Sequence, residues 1–413
     1  MRAEEATLAR LARCSGFCRR LRKLSPGGFV QSCVLQVLQA NVSLRLHAAL
    51  LGLLQGSTVS KQALQQRLKA SIGFLQACLA HWIARPIAKE LGPLRAGPFA
   101  RVLVHDSSCI ALDSAHAAAF PGPSNQSARP QAALRVQVLY DLLAERFVQF
   151  QLSAFTRNDQ AAAGDVLPLL RGDDLLVRDL GYFSLAALAQ CAASGASFLS
   201  RWRFGAQLRD PTSGQPIALH TLLQPGASLE RTVLLSNGLQ VRLLALPLDP
   251  AVAASRRRLA RANRDRRLQH SDAYYYLLGW TLLLTNASAA RLPLRLAGCV
   301  YRLRWRIEII FKSWKSYLGL LHASHCGRAQ LLPLVLALLL FSLFLHALLP
   351  PAPPSFSLLK LASLFAELLL PVCLASLPPA EISARFAAQL RYHGRYESRP
   401  RLDYLKLKLF TLS

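Results

Sequence analysis

Residues Tyr301–Leu320, YRLRWRIEIIFKSWKSYLGL, decide how the chain is read. The stretch holds no Gly or Pro before Gly319, which predicts one helix. At 100° per residue, Tyr301, Arg304, Glu308 and Lys315 fall within about 60° of one another. Ile307, Phe311, Trp314 and Leu318 form a separate apolar stripe beside them. The stripe can dock on a core while the adjoining edge presents a phenol, two cations and one carboxylate in a row. A solvated helix scatters its charges, and a plain core helix carries no such row.

The chain has 413 residues, enough for two or three domains with their own cores. Its 49 Lys and Arg outnumber 22 Asp and Glu, giving a formal charge of +27. Such a field favours a polyanion, nucleic acid before an anionic membrane. Arg dominates the cations, and its planar fork suits phosphate. Codon bias toward Ala, Leu and Arg explains part of the Arg excess but not the scarcity of Asp and Glu. Nine cysteines are scattered without a CxxC pair, which reads as free thiols in a reducing compartment. Leu331–Pro350, LLPLVLALLLFSLFLHALLP, is uncharged and long enough to span a bilayer. Pro333, Ser342 and His346 suit a buried helix better, so no membrane partner is expected.

Residues 1–95 read as a helical N-terminal domain, with Gln31–Gln55 apolar and Ser60–Lys89 amphipathic and basic. Two readings stay open for it: a DNA-binding module, or a packing domain. Gly92-Pro93 and Gly97-Pro98 mark its boundary. Strands follow at Arg101–His105, Ala133–Tyr140, Phe147–Phe155 and Leu175–Arg178, with a loop at Gly122–Pro130 and helices at Asp159–Leu170 and Ser184–Ala193. That order predicts an α/β fold whose mixed sheet carries helices on both faces. Residues 96–197 supply its first part and 286–328 its second. Between them, 198–285 form a β-rich insertion, with a hairpin around Ser236-Asn237-Gly238 and a strand at Leu277–Thr285. Ala251–Gln269 is a helix with Arg256, Arg257, Arg258, Arg261, Arg264, Arg266 and Arg267 against the single acid Asp265. So many cations around one helix repel each other unless phosphate is present. Residues 329–413 make a helical C-terminal region, suited to dimerisation, with a basic tail over Arg391–Lys408.

Asp106 and Asp179 each follow an apolar run, VLVHD and LLVRD. Carboxylates at the ends of neighbouring strands converge on one sheet edge. A third from a packed helix, Glu308, completes a site for two divalent cations, the arrangement that serves phosphodiester cleavage. Hard ions with oxygen ligands mean Mg²⁺ or Mn²⁺. Asp113, Asp141, Asp159, Asp165, Asp173 and Asp174 are rivals in the same region.

The spacing Tyr301-x2-Arg304-x3-Glu308-x6-Lys315 resembles the signature of bacterial insertion-sequence DDE transposases of family four. The resemblance extends through VHDSS (104–108), AFPG (119–122), VLYD (138–141), RDLGYF (178–183) and GWTLLLT (279–285), and spans about residues 100–320. It implies a ribonuclease-H-like core in which Asp106, Asp179 and Glu308 bind the metals. Tyr301, Arg304 and Lys315 are then phosphate clamps at the transposon end rather than partners that neutralise Glu308. Trp280 resembles the aromatic that receives a flipped base in relatives forming a hairpin intermediate; a core tryptophan is the other reading. The resemblance further implies cut-and-paste transposition, with hydrolytic cleavage at the element's ends followed by 3′-hydroxyl attack on target DNA. A homodimer would hold both ends, in the bacterial cytoplasm at the nucleoid. Two other classes fit the residues: a nuclease or inactive DNA-binding relative, and a membrane-associated basic protein built on Leu331–Pro350.

Overall fold

The computed structural model describes residues 2–18, 24–85, 98–124, 130–262, 270–348 and 357–374. Five helices come first: α1 (Arg2–Cys14), α2 (Pro26–Leu38), α3 (Leu44–Gln55), α4 (Lys61–Ala70) and α5 (Ile72–Ala84). The hydroxyls of Ser25 and Ser60 accept from Gly28 N–H and Ala63 N–H and so start α2 and α4. The two long helices expected here are each divided. Gln31–Gln55 breaks before Leu44, at the turn-forming Asn41-Val42-Ser43, where Gln36 Nε2 donates to the Asn41 carbonyl. Ser60–Lys89 divides at buried Ser71, whose hydroxyl turns back onto the Leu68 carbonyl. Gly92, Pro93 and Gly97 of the expected boundary lie outside the described residues.

The sheet region runs β1 (Arg101–Leu112), β2 (Ala132–Asp141), β3 (Arg146–Ala154), β4 (Asp174–Arg178), α6 (Leu185–Ala193), β5 (Ser197–Arg201) and β6 (Leu208–Arg209). It continues through α7 (Leu219–Leu222), β7 (Leu229–Leu235), β8 (Gln240–Pro247), α8 (Pro250–Ala262), α9 (Asp272–Leu277) and β9 (Trp280–Thr285). The chain then forms α10 (Leu294–Leu303), α11 (Trp305–Ser316), α12 (Arg328–Leu348) and α13 (Leu358–Leu374).

The nine strands among the described residues make one mixed sheet in the order β3-β2-β1-β4-β5-β9-β8-β7-β6. Only β1–β4 and β4–β5 run parallel. The Arg101 guanidinium grips Asp174 through two hydrogen bonds, one of 2.8 Å, and these residues are also partners in the β1–β4 register. The pair therefore fixes which residues of the two strands lie opposite. Alternation divides the strands between two cores. Val102, Val104, Leu175 and Val177 join a core with α2, α5, α11 and α12, whereas Leu103, Leu176 and Phe198 join another with Tyr182 and α6. The strands of 198–285 extend this same sheet. Their hairpin turns at Asn237-Gly238 as expected, with Gly238 at φ 81°.

Asp159–Leu170 is not a helix. It forms turns and one short 3₁₀ segment, Leu167–Leu169, because Gly164 and Pro168 interrupt it and Arg157 clamps Asp165 across it. The strand expected from Leu277 starts only at Trp280, after α9. Of Gly122–Pro130, residues 125–129 lie outside the described residues, as do Arg264, Arg266 and Arg267 and the basic tail.

The long apolar stretch becomes α12, the only described helix long and apolar enough to cross a membrane, yet 78% of that window is buried within the fold. Ser342 and His346 find partners there. Ser342 Oγ accepts from Trp314 Nε1 of α11 at 2.8 Å, and His346 hydrogen-bonds the Ser342 carbonyl and packs on Phe147. The eight cysteines whose side chains are described are all free.

Candidate active site

Asp106 lies in the middle of β1, not at its end as expected. The strand continues because β2 pairs with it from Leu103 to Leu112, with Asp106 opposite Val138. Its parallel ladder with β4 does end there: the last pair is His105–Arg178, and Asp179 follows directly. Asp106 and Asp179 thus flank the point where β1 loses its partner on that side.

Glu308 comes from the stretch expected to be one helix. The structure divides it into α10 and α11 at Arg304. No Gly or Pro causes this. Arg304 N bonds Tyr301 O, and Ile307 N bonds Arg304 O, so the turn tightens to i→i+3 at that residue. The predicted stripe nevertheless docks, since Ile307, Phe311, Trp314 and Leu318 are all at most 7% exposed.

One guanidinium joins the three carboxylates. Arg304 Nη1 donates to Asp106 Oδ2 at 2.6 Å and Nη2 donates to Glu308 Oε1 at 2.8 Å, with Asp179 Oδ2 3.8 Å from Nη2. Tyr301 donates its hydroxyl proton to Asp179 Oδ1 at 2.8 Å. Three acidic side chains separated by up to about two hundred residues therefore meet around one cation. This corrects the reading of Arg304 as a phosphate clamp alone: in this DNA-free chain it neutralises Glu308 and Asp106.

The two aspartates differ electrically. Burial pushes Asp106 up to about 6, although Arg304 and the Ser107 N–H pull it back. Burial also raises Asp179, but Arg304, the Leu180 N–H and the Tyr301 hydroxyl outweigh it and hold that carboxyl below its ordinary value. Exposure explains the contrast: the Asp106 side chain is 16% accessible, that of Asp179 38%. Burial, then the adjacent Asp179, raises the Tyr301 phenol, which keeps its proton.

The donor set is hard oxygen from three elements, which suits Mg²⁺ or Mn²⁺. As the side chains stand, no group of three or more His, Cys, Asp or Glu among the described residues is arranged to hold a metal ion. The centre of the three carboxylates is taken by Arg304, so metal entry requires that guanidinium to move.

Burial raises the Cys109 thiol on β1, with Arg135 and then half-buried Lys315 opposing it. The structure does not bring Trp280 into the carboxylate group. It is 4% exposed, donates to the Ala227 carbonyl at 3.2 Å and packs on Tyr276. On α8, Arg256 reaches the Trp280 carbonyl and Arg257 the Tyr275 carbonyl, Arg261 lies over the Tyr275 ring, and Arg258 is exposed. Arg256 also faces Tyr301 and Arg201. Arg201, at the end of β5, lowers the pKa values of both Asp179 and Tyr301 and was missed in the sequence. Its place at the end of the strand parallel to β4 is the signal that could have found it.

Three carboxylates from two neighbouring strands and a packed helix make an oxygen-donor group of the kind that serves phosphodiester cleavage. Residues 97–344 match the model of the Transposase DDE domain family, and the chain belongs to that family. The transposase for insertion sequence element IS231F of Bacillus thuringiensis subsp. israelensis is 26% identical over 350 residues, covering 77% of this chain and 71% of the relative. That for IS231C, from subsp. berliner, is 28% identical over 347 residues, 76% of this chain and 71% of the relative. That for IS1151 of Clostridium perfringens is 26% identical over 247 residues, 53% and 50%. The protein is an enzyme acting on DNA.

Proposed function

We propose that the chain is a cut-and-paste transposase whose catalytic group is Asp106, Asp179 and Glu308. The observation that carries this is the meeting of those three side chains on one guanidinium. Residues 96–197 and 286–328 are the two parts of a ribonuclease-H-like core, 198–285 its insertion, 1–95 a DNA-binding domain and 329–413 a dimerisation region. Asp106, Asp179 and Glu308 would hold two Mg²⁺ or Mn²⁺ ions. Bound there, such ions supply activation of the attacking oxygen and neutralisation of the leaving one.

The chain's own residues do the positioning. Arg304 passes from the carboxylates to a phosphate of the transposon end. Tyr301 carries a proton that can bond a phosphate oxygen, and Lys315 adds a point charge on α11 about two turns past Glu308. Arg258 and Arg261 are exposed on α8 and extend the basic surface. Arg256 and Arg257 are half-buried, and both support Trp280 and α9 as well as adding charge. With Trp280 enclosed, a flipped base would need β9 and its neighbours to open. Two copies hold two ends, and the work is done in the bacterial cytoplasm at the nucleoid.

Glu308→Gln keeps the shape and removes the charge. Nicking of end-containing DNA with Mg²⁺ falls by at least about a hundredfold, more than a ligand's supporting partner usually costs, while DNA binding persists. Undiminished nicking would sink the assignment. Nicking by the wild type without joining to target DNA would leave a nuclease instead.

A further inference from the structure

Of the six rival aspartates, five hold the fold. Asp113 caps a 3₁₀ turn, Asp141 accepts from the Leu143 and Ala144 N–H groups, and Asp165, Asp173 and Asp174 pair with Arg157, Arg291 and Arg101. Asp159 differs in what it touches. Its Oδ1 accepts from Ser107 Oγ at 2.7 Å, Arg135 Nη1 at 2.7 Å and Gln137 Nε2 at 3.1 Å. Arg135 Nη1 also donates to Ser107 Oγ at 2.9 Å, closing the group. Gln137, 2% exposed, in turn accepts from the Tyr182 hydroxyl. The other oxygen, Oδ2, lies against Gly181, where an added Cβ would come within 3.2 Å of it.

One carboxylate therefore bonds the residue after Asp106 and lies beside the residue two past Asp179. Its place in the sheet gives this force. Beyond His105–Arg178 the parallel ladder stops, and β1 keeps β2 alone as a strand partner. Ser107, Arg135 and Gln137 share one face of β1 and β2, and Asp159 lies on that face, between Ser107 and the turn that follows Asp179. Ser107 transmits the constraint, because its backbone N–H donates to Asp106 Oδ1 at 2.8 Å. Ser107 points away from Asp106, since neighbours on a strand face opposite sides, so Asp159 acts from behind the site.

We infer that Asp159 is a positioning residue for the catalytic pair: through Ser107 and the Gly181 turn it sets the orientation of Asp106 and its distance from Asp179. This rests on the assignment of Asp106 and Asp179 as metal-binding carboxylates. Supporting partners of metal ligands typically contribute about 10–100-fold to affinity or activity.

The test is a Mn²⁺ titration of the DNA-free protein, following free ion by electron paramagnetic resonance, beside nicking at graded Mn²⁺. Asp159→Ala weakens Mn²⁺ binding and raises the concentration for half-maximal nicking, each by roughly 10–100-fold. Metal-free binding of end DNA stays at the wild-type level. Asp159→Asn keeps the accepting oxygen and restores affinity to within about threefold of wild type. Ser107→Ala shifts the titration the same way, and the double variant is no worse than Asp159→Ala, because the two act in series. A lowered melting temperature with Mn²⁺ affinity within about twofold of wild type would overturn the inference, as would additive effects. If Asp159→Ala does not fold, Ser107→Ala and Asp159→Asn carry the same comparison. Wild-type protein that neither binds Mn²⁺ nor nicks refutes the transposase reading itself; competent wild type with unshifted variants refutes only the role of Asp159.

Discussion

At the scale of single residues, Arg304 does most to set the state of the site. It sits 14% exposed among three acidic side chains, and each half of its fork has a carboxylate within 3 Å. Two charges at about 4 Å interact by about 4 kcal/mol at the effective dielectric of a partly buried site. An incoming divalent ion must therefore outcompete a cation already in place. Arg304→Gln removes that competitor. In the DNA-free protein it should tighten Mn²⁺ binding by on the order of tenfold, equivalent to about 1.4 kcal/mol, while the metal-free form melts earlier because three carboxylates are left crowded. Weaker Mn²⁺ binding would mean instead that the guanidinium gathers the ligands. The same titration moves in opposite directions for Arg304 and Asp159, so the two roles are separable. Only the Arg304–Glu308 pairing, four residues apart, was legible in the sequence. The other partners of Arg304 lie up to 198 residues away and those of Asp159 up to 52, and only the folded sheet brings them together.

At the scale of elements, the chain just past α11 makes the closest backbone approach of any described glycine. Gly319 has φ 77°, and a Cβ there would lie 1.9 Å from the Val37 carbonyl oxygen of α2. The helix bearing Glu308 thus ends against the N-terminal helices through a residue that only Gly can occupy. Gly319→Ala combines a left-handed backbone with a clash against backbone, and should destabilise by about 2–4 kcal/mol. Thermal melting of the full chain checks it; a shift within error would show that α2 and α11 are not locked there. Local signals made much of this level readable. The Asn237-Gly238 turn, the Ser184 cap and the apolar stripe of α11 depend on residues a few positions apart, and all appear in the structure. Readings failed where distant partners intervened. β1 runs past Asp106 because β2 is opposite it, whereas in Asp159–Leu170 the breakers Gly164 and Pro168 were local signals that the helical reading passed over.

At the scale of the whole molecule, the charge of +27 separates general from local attraction to DNA. The field of 49 basic residues acts on any duplex and makes binding fall steeply with salt. A contact inside the proposed catalytic group adds to this only when a phosphate is seated there. Lys315 is the cation placed to report the difference, being half-buried on α11 beside β1 rather than free in the surface field. Exposed Arg258 on α8 is its natural control. Lys315→Ala should reduce the slope of log affinity against log salt by about 0.9, one phosphate's worth, with DNA carrying the element's end but not with unrelated duplex. Arg258→Ala should change both DNAs alike. Binding isotherms across a salt series measure both slopes. Equal losses for the two variants on both DNAs would place Lys315 in the general field, and Tyr301 and Arg304 would then have to orient the end unaided.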